Sequence, residues 1–184
     1  MSNKIPKKAK KVFKGVIFDI YQWKEKMYDG SYGVFEAAKR KDTISIIAIT
    51  KNNKFIILEQ EQPYKGKYFS LASGRVEKDE KPIVAAKREL LEETGYVPKK
   101  IKLFMTNKSY ARVIWNDYAY IAYDCERKAK QNLDNGEKIQ VKYLNFSKFY
   151  DFVRSRESHV SWDMKYNFLT KTKIQIKKEL ELID

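Results

Sequence analysis

The stretch Gly74–Tyr96, GRVEKDEKPIVAAKRELLEETGY, constrains this chain more than any other segment. Pro82 suits the first position of a helix, where its missing N–H costs nothing. Gly95 suits the left-handed residue just past a helix end. The helix predicted between them places Ile83, Ala86 and Leu90 on one face, with Val84 and Leu91 beside it. Glu89, Glu92 and Glu93 stand at i, i+3 and i+4, so their carboxylates converge on the other side, where like charges weaken a free helix. A solvated acidic face would offset them with basic residues one turn further on, and none stands three or four positions after any of these glutamates. Acids gathered this way in a chain of net charge +14 point to a hard multivalent cation. Carboxylate oxygens hold such ions, and such ions in turn hold phosphates.

The spacing is specific. Gly74 is followed after five residues by Glu80, and after seven more by Arg88-Glu89-Leu90, then Glu92-Glu93, Gly95 and Tyr96. This pattern resembles the Nudix hydrolase signature throughout; only Tyr96 stands where an aliphatic residue is usual. Further features resemble the ADP-ribose and nucleotide-sugar pyrophosphatase branch. They are an N-terminal arm with Asp29-Gly30 at its turn, Glu59-Gln60 followed by Gln62-Pro63 and Gly66-Lys67 ahead of Leu71-Ala72-Ser73-Gly74, and Leu133 to Ile139 before a late strand. The branch usually has Arg-Pro at Gln62-Pro63 and Pro-Ala-Gly at Ala72-Ser73-Gly74. ADP-ribose hydrolases often carry a proline where Tyr110 and Ala111 stand. The substrate is therefore read as a class, ADP-ribose or a nucleoside diphosphate sugar.

The whole chain sets the outer bounds. Its 184 residues, 43% hydrophobic and 14% aromatic, suit one domain with a small appendage. No apolar run approaches a bilayer span. The opening MSNKIPKKAKK is basic without an apolar segment, so a secretory signal is not expected. Cys125 is the only cysteine, which excludes an intrachain disulfide and makes the cytoplasm the default location. His159 is the only histidine, which excludes a histidine-rich zinc site. The lysines are widely spread, with modest clusters at residues 4–14 and 171–178. A solvated lysine bias is favoured over RNA binding because no RNA-binding motif is visible. Such a field also draws in small anions.

Along the chain, residues 12–23 read as one strand and Tyr32–Ala37 as its return across Asp29-Gly30. This makes an N-terminal arm over residues 1–38, ahead of a hydrolase domain over 39–184. Thr43–Thr50 reads as a buried central strand, with Phe55–Glu59 as its hairpin partner. Tyr68–Ala72, residues 100–106, 113–123 and Lys138–Leu144 complete the expected strands. Ser147 is the expected N-cap of a helix to about Ser155. Another helix is expected from near Ser161, carrying Met164, Phe168 and Leu169 inward. Strands and helices mix without βαβ alternation, which predicts an α+β class.

The resemblance implies a Nudix-type αβα sandwich with a mixed sheet, and magnesium-dependent attack of water on a pyrophosphate, with manganese able to substitute. On the matching positions, Glu89, Glu92 and Glu93 would hold magnesium, with the backbone carbonyl of Ser73 as an extra ligand and Glu80 near or in the metal shell. Arg88 would orient the glutamates through charge-assisted hydrogen bonds. In this branch the general base often lies on a separate loop before a late strand. Glu137 is the candidate, with Asp134 in reserve; either is otherwise an ordinary turn carboxylate. Gln62 and Arg40 are candidate substrate contacts. Trp23 and Tyr28 on the arm are candidate stacking residues, as are Tyr21, Tyr32, Tyr64, Tyr110 and Trp115, each otherwise core or surface filler.

The expected products are a nucleoside monophosphate and a sugar phosphate. The alternatives are a housecleaning pyrophosphatase of nucleoside triphosphates, an RNA decapping-type protein and a ligand sensor without turnover. The arm is too short for its own core, and a lone hairpin is marginal in water. The arm must therefore pack on its own core domain or on a second subunit, and the resemblance to that branch, whose arms contribute to a two-fold dimer, implies a homodimer.

Overall fold

The computed structural model describes residues 5–108 and 112–182; Tyr110 lies outside them. The arm opens with β1 (Lys10–Lys14), β2 (Asp19–Lys26) and β3 (Tyr32–Lys39), an antiparallel meander. The single strand expected over 12–23 is in fact two. The N–H of Gly15 donates to the carbonyl of Phe18 at 3.0 Å and closes a turn between them. A Cβ on Gly15 would stand 2.5 Å from that oxygen, so glycine is required at this close approach. The β-branched pair Val16 and Ile17 at the turn hid the break, since such residues favour strands.

The rest of the chain builds an eight-stranded sheet. Its central path runs through β12 (Lys138–Leu144), β5 (Phe55–Gln62), β4 (Thr43–Thr50), β11 (Asn116–Arg127) and β8 (Tyr96–Val97). β6 (Gly66–Ser70) pairs with β5, β7 (Ala72–Arg75) with β4, and β9 (Lys100–Lys108) with β11. β4 and β11 run parallel while β4 and β7 run antiparallel, so the sheet is mixed. A short strand, β10 (Val113–Ile114), leaves this sheet and pairs in parallel with β3. The arm's sheet thus takes a fourth strand from the far side of the chain.

Alternation along β4 divides the core in two. Ile44, Ile46 and Ala48 face α1 (Pro82–Thr94) and pack with Ala86 and Leu90. Ile47 and Ile49 face the opposite way and pack with Leu71, Phe149, Met164 and Phe168. That second layer is made of α2 (Phe146–Arg154), α3 (Trp162–Thr170) and α4 (Lys173–Glu179). The result is an αβα arrangement of α+β class. No helix among the described residues is long and apolar enough to cross a membrane.

Several helical expectations are corrected in detail. In α1 the buried positions are Ala85, Ala86, Leu90, Glu93 and Thr94, while Ile83 and Val84 are 36% and 50% exposed. The small alanines bring the helix close to the sheet and turn its larger N-terminal residues outward. α2 is capped by Asn145, whose Oδ1 accepts from the N–H of Lys148 at 2.9 Å, and not by Ser147. Leu169 of α3 points outward, 44% exposed. α4 was not expected. Its lysines hide a capping box between Thr172 and Gln175, and Ile176 is fully buried.

Candidate active site

The cleft starts from a backbone demand. At Gly74 on β7 a Cβ would fall 2.0 Å from the carboxyl carbon of Glu89, so only glycine lets α1 bring that side chain against the strand. The N–H of the preceding Ser73 donates to Glu93 Oε2 at 2.9 Å. Glu93 is only 5% exposed, placed on the buried side of α1 and not opposite it. Its side chain lies between the helix and the edge of the sheet.

Arg88 ties the rest together. Its Nη1 donates to Glu89 Oε1 at 2.8 Å and to Glu92 Oε2 at 3.0 Å. Its Nη2 donates to the carbonyl of Arg75 at 3.0 Å. Its Nε and Nη2 reach the two oxygens of Glu80 at 3.0 and 3.1 Å. Glu80 also accepts from the N–H of Glu77 at 2.9 Å. With both oxygens committed, Glu80 stands behind Arg88 and does not border the cleft, where the sequence reading placed it near or in the metal shell. The bonds from Arg88 hold Glu80 below the usual carboxylate range.

Two further carboxylates arrive from a separate segment. The segment between β11 and β12 crosses the C-terminal end of α1, where helical carbonyls lack intrahelical partners. The N–H groups of Lys128 and Ala129 donate to the carbonyl of Gly95, and that of Asn132 to Glu92. The side-chain amide of Gln131 donates to the carbonyl of Glu93 at 2.6 Å. Gly95, at φ +76°, is required twice over, because a Cβ would meet the carbonyl of Ala129 at 2.2 Å. The loop so fixed carries Asp134 and Glu137 to the rim of the cleft opposite Glu89 and Glu92.

The enclosed space is about 530 Å³ and is bordered by Gln62, Ser73, Glu89, Glu92, Glu93 and Glu137 among others. Burial pushes Glu93 well up, and the charges of Glu89, Glu137 and Glu92 add to it. Burial also raises Glu89, against the pull of Arg88. It raises Glu137 too, against a backbone hydrogen bond at Asp134. Among the described residues no three acidic, imidazole or thiol side chains already stand as a coordination set, and Arg88 engages the facing oxygens of Glu89 and Glu92. The donors nevertheless fit a hard divalent cation. They are carboxylates around one cleft whose mutual repulsion such a cation relieves.

The remaining sequence candidates fall elsewhere. Trp23 packs on Phe35 within the arm, ring centroids 6.1 Å apart. Tyr28 is fully exposed at the turn between β2 and β3, and Tyr64 is 87% exposed. Neither Trp23 nor Tyr28 borders the cleft in this chain. The guanidinium of Arg40 stacks over Phe18 and Trp115, and Arg40 borders a separate cavity next to the cleft. Sequence reasoning missed the polar chain beneath the cleft, in which Tyr68 donates to Gln60 at 3.0 Å and Gln60 donates to Ser70 at 2.6 Å. Its only signal is alternation: Gln60 and Ser70 sit at strand positions where apolar residues are expected. Asn132 and Gln131 carried no signal, because their role is set by a loop crossing a helix end.

Comparison with known proteins adds four findings. Residues 39–164 match the NUDIX domain family. An ADP-ribose pyrophosphatase of Bacillus subtilis (strain 168) is 29% identical over 151 residues, covering 79% of this chain and 80% of that protein. A methanol dehydrogenase activator of Bacillus methanolicus is 26% identical over 159 residues, 84% of this chain and 85% of the other. Among solved structures, an ADP compounds hydrolase superposes with a TM-score of 0.71 over 94% of this chain and 91% of its own, at 14% identity, a likeness of fold.

Proposed function

The chain belongs to the Nudix family, and from that premise we propose that it is a magnesium-dependent pyrophosphatase of nucleoside diphosphates linked to a second moiety, ADP-ribose or a nucleotide sugar. One observation carries this reading. Four carboxylates from two distant segments, Glu89, Glu92 and Glu93 of α1 and Glu137 of the loop before β12, border one cleft. The B. subtilis ADP-ribose pyrophosphatase, which this chain matches over four-fifths of its length, supports the substrate class.

Glu89, Glu92 and Glu93 would hold the magnesium, with the Ser73 carbonyl completing the protein ligands. Bound there, the cation supplies charge neutralisation at the diphosphate and a lowered pKa for water. Arg88 keeps Glu89 and Glu92 turned toward each other across its guanidinium. Glu137, raised by burial, takes the proton as the water oxygen bonds to one phosphorus of the P–O–P bridge. The bridging oxygen leaves on the other phosphorus, so the products are a nucleoside monophosphate and a sugar phosphate. Gln62 borders the same cleft and would contact the diphosphate. A panel of linked nucleoside diphosphates and nucleoside triphosphates, run in oxygen-18 water and scored by product mass, tests this. The label belongs on one of the two monophosphate products. Pyrophosphate released from a triphosphate at higher kcat/KM would overturn the substrate class.

The protein works as a two-fold homodimer through its arm in the same reading. Phe13, Tyr32 and Val34 share one face of the arm's sheet and are 60%, 70% and 64% exposed. An isologous contact covers such a face on both copies at once.

A further inference from the structure

Beside the carboxylate cleft lies a second cavity of about 310 Å³, which shares with the cleft the wall Ser73–Arg75 of β7. Its volume is at the lower end of small-molecule sites. Ser45 of β4 faces Ser73 directly across the β4–β7 pair, so the shared wall is one strand away. Asp117 of β11 lines the cavity, and its Oδ1 accepts from Thr43 Oγ1 at 2.8 Å. A carboxylate accepts several further donors beyond that one.

Two serines that line this cavity have buried hydroxyl oxygens without a hydrogen-bond partner among the described residues, Ser45 Oγ and Ser161 Oγ. Ser161 stands just before α3, where a serine ordinarily caps the first turn, yet its side chain makes no capping bond. A buried hydroxyl left unmade costs free energy that a suitable ligand recovers. Among the described residues no phenylalanine, tyrosine or tryptophan lines the cavity, and the imidazole of His159 is the one ring in its walls. Nucleobases are held mainly by stacking on aromatic rings. A ligand rich in hydroxyls and without a flat ring suits these walls. Arg40 adds a cation on the arm side, held over the rings of Phe18 and Trp115 at 5.8 and 5.7 Å.

We propose that this cavity holds the sugar of the non-nucleoside half of the substrate, a polyhydroxylated pentose or hexose, read by Ser45, Ser161 and Asp117 while the diphosphate crosses Ser73–Arg75 into the carboxylate cleft. The nucleoside half then lies on the other side of that wall. The proposal rests on the reading of the chain as a pyrophosphatase of linked nucleoside diphosphates. It adds that discrimination among substrates lies in uncharged hydroxyls outside the glutamate motif.

His159, the only histidine, lines this cavity, so its imidazole proton resonance reports occupancy without a label. Titration of the full chain with ribose 5-phosphate is expected to move that resonance, and titration with adenosine monophosphate is not. Ser45→Ala/Ser161→Ala and, separately, Asp117→Asn are expected to weaken ribose 5-phosphate at least about tenfold, on the scale of one well-made hydrogen bond. The two routes are independent, so a misfolded double variant leaves Asp117→Asn to decide. A resonance moved by the nucleotide and not by the sugar phosphate, or an affinity unchanged in both variants, would overturn the assignment. This readout needs no turnover. Sugar phosphate binding without hydrolysis of any linked nucleoside diphosphate would sink the pyrophosphatase reading and leave the cavity's role standing. Hydrolysis with no response at His159 would do the reverse.

Discussion

Glu89, Glu92 and Glu93 of the carboxylate cleft come from neighbouring turns of one helix, whereas Ser45, Asp117 and Ser161 of the adjoining cavity come from two strands and a helix start far apart in sequence. The cleft gathers like charges, and repulsion adds to burial in lifting Glu93. The cavity instead leaves two neutral hydroxyls unpartnered. Both arrangements cost stability in the unliganded protein and recover it from a ligand, one by charge and one by hydrogen bonds. The difference separates rate from selectivity. Changes in the cleft should reduce turnover of every substrate, and changes in the cavity should alter which substrate is preferred.

The largest effect expected in the cleft is at the base. Glu137→Gln should lower kcat by about 10²–10⁴-fold, measured under saturating substrate with magnesium. If Asp134→Asn gives that loss and Glu137→Gln does not, the base is misassigned. Next comes Glu92→Gln, expected to cost at least about a hundredfold in kcat, the scale of removing an essential charged group, with an unchanged circular dichroism spectrum. Turnover near normal would break the metal-site assignment.

Gly74→Ala should displace Glu89 and lower kcat about tenfold or more, since an ångström of misplacement at reacting groups costs on the order of a hundredfold. A crystal structure or a magnesium titration of that variant would show whether Glu89 moved. On the arm, Val34→Glu should convert the dimer to monomer in light scattering at micromolar concentration, as should deletion of residues 1–38, which is also expected to abolish activity. A dimer retained in both would remove the arm from the interface.

The smallest effect runs the other way. Glu93 is raised well above the ordinary carboxylate range in the fold, so the native state binds its proton more tightly than the unfolded chain does. Stability is then greatest near and below the unfolded carboxylate value. Without divalent cation it declines as pH rises from there through the folded value. Glu93→Gln should flatten that decline and raise Tm at pH 7 by a few degrees, on the order of 1 kcal/mol for a domain this size. Added magnesium should stabilise the parent protein and not the variant. A Tm of the parent that rises with pH over this window would contradict the burial of an unpaired charge.

Much of the molecule was legible in its sequence where the signal is local. The bounds of β4 and β12 match the strands read from Thr43–Thr50 and Lys138–Leu144, because a near-continuous apolar run in the first, an apolar alternation in the second and turn residues beside them specify a strand from within. The limits of α1 follow from Pro82 and Gly95. Elements failed to show where a tertiary contact overrode propensity. The turn at Val16-Ile17 is set by the close approach at Gly15, and α4 by the burial of Ile176 and Leu180 against the second core. Trp23 and Tyr28 carried an aromatic signal that says nothing of direction, and the fold turns them into the arm and into solvent.

The glutamate helix, its acidic set and the family are legible in the chain alone, because 3.6-residue periodicity between Pro82 and Gly95 specifies that unit without reference to the rest of the chain. Only the tertiary structure decided that Glu80 serves Arg88, that Gln131 and Asn132 tie the Glu137 loop to the end of α1, and that Ser45, Asp117 and Ser161 enclose one cavity. The last two relations join residues dozens of positions apart through strand pairing and loop crossing, and no periodicity along the chain encodes a contact between segments that meet only when the sheet has formed.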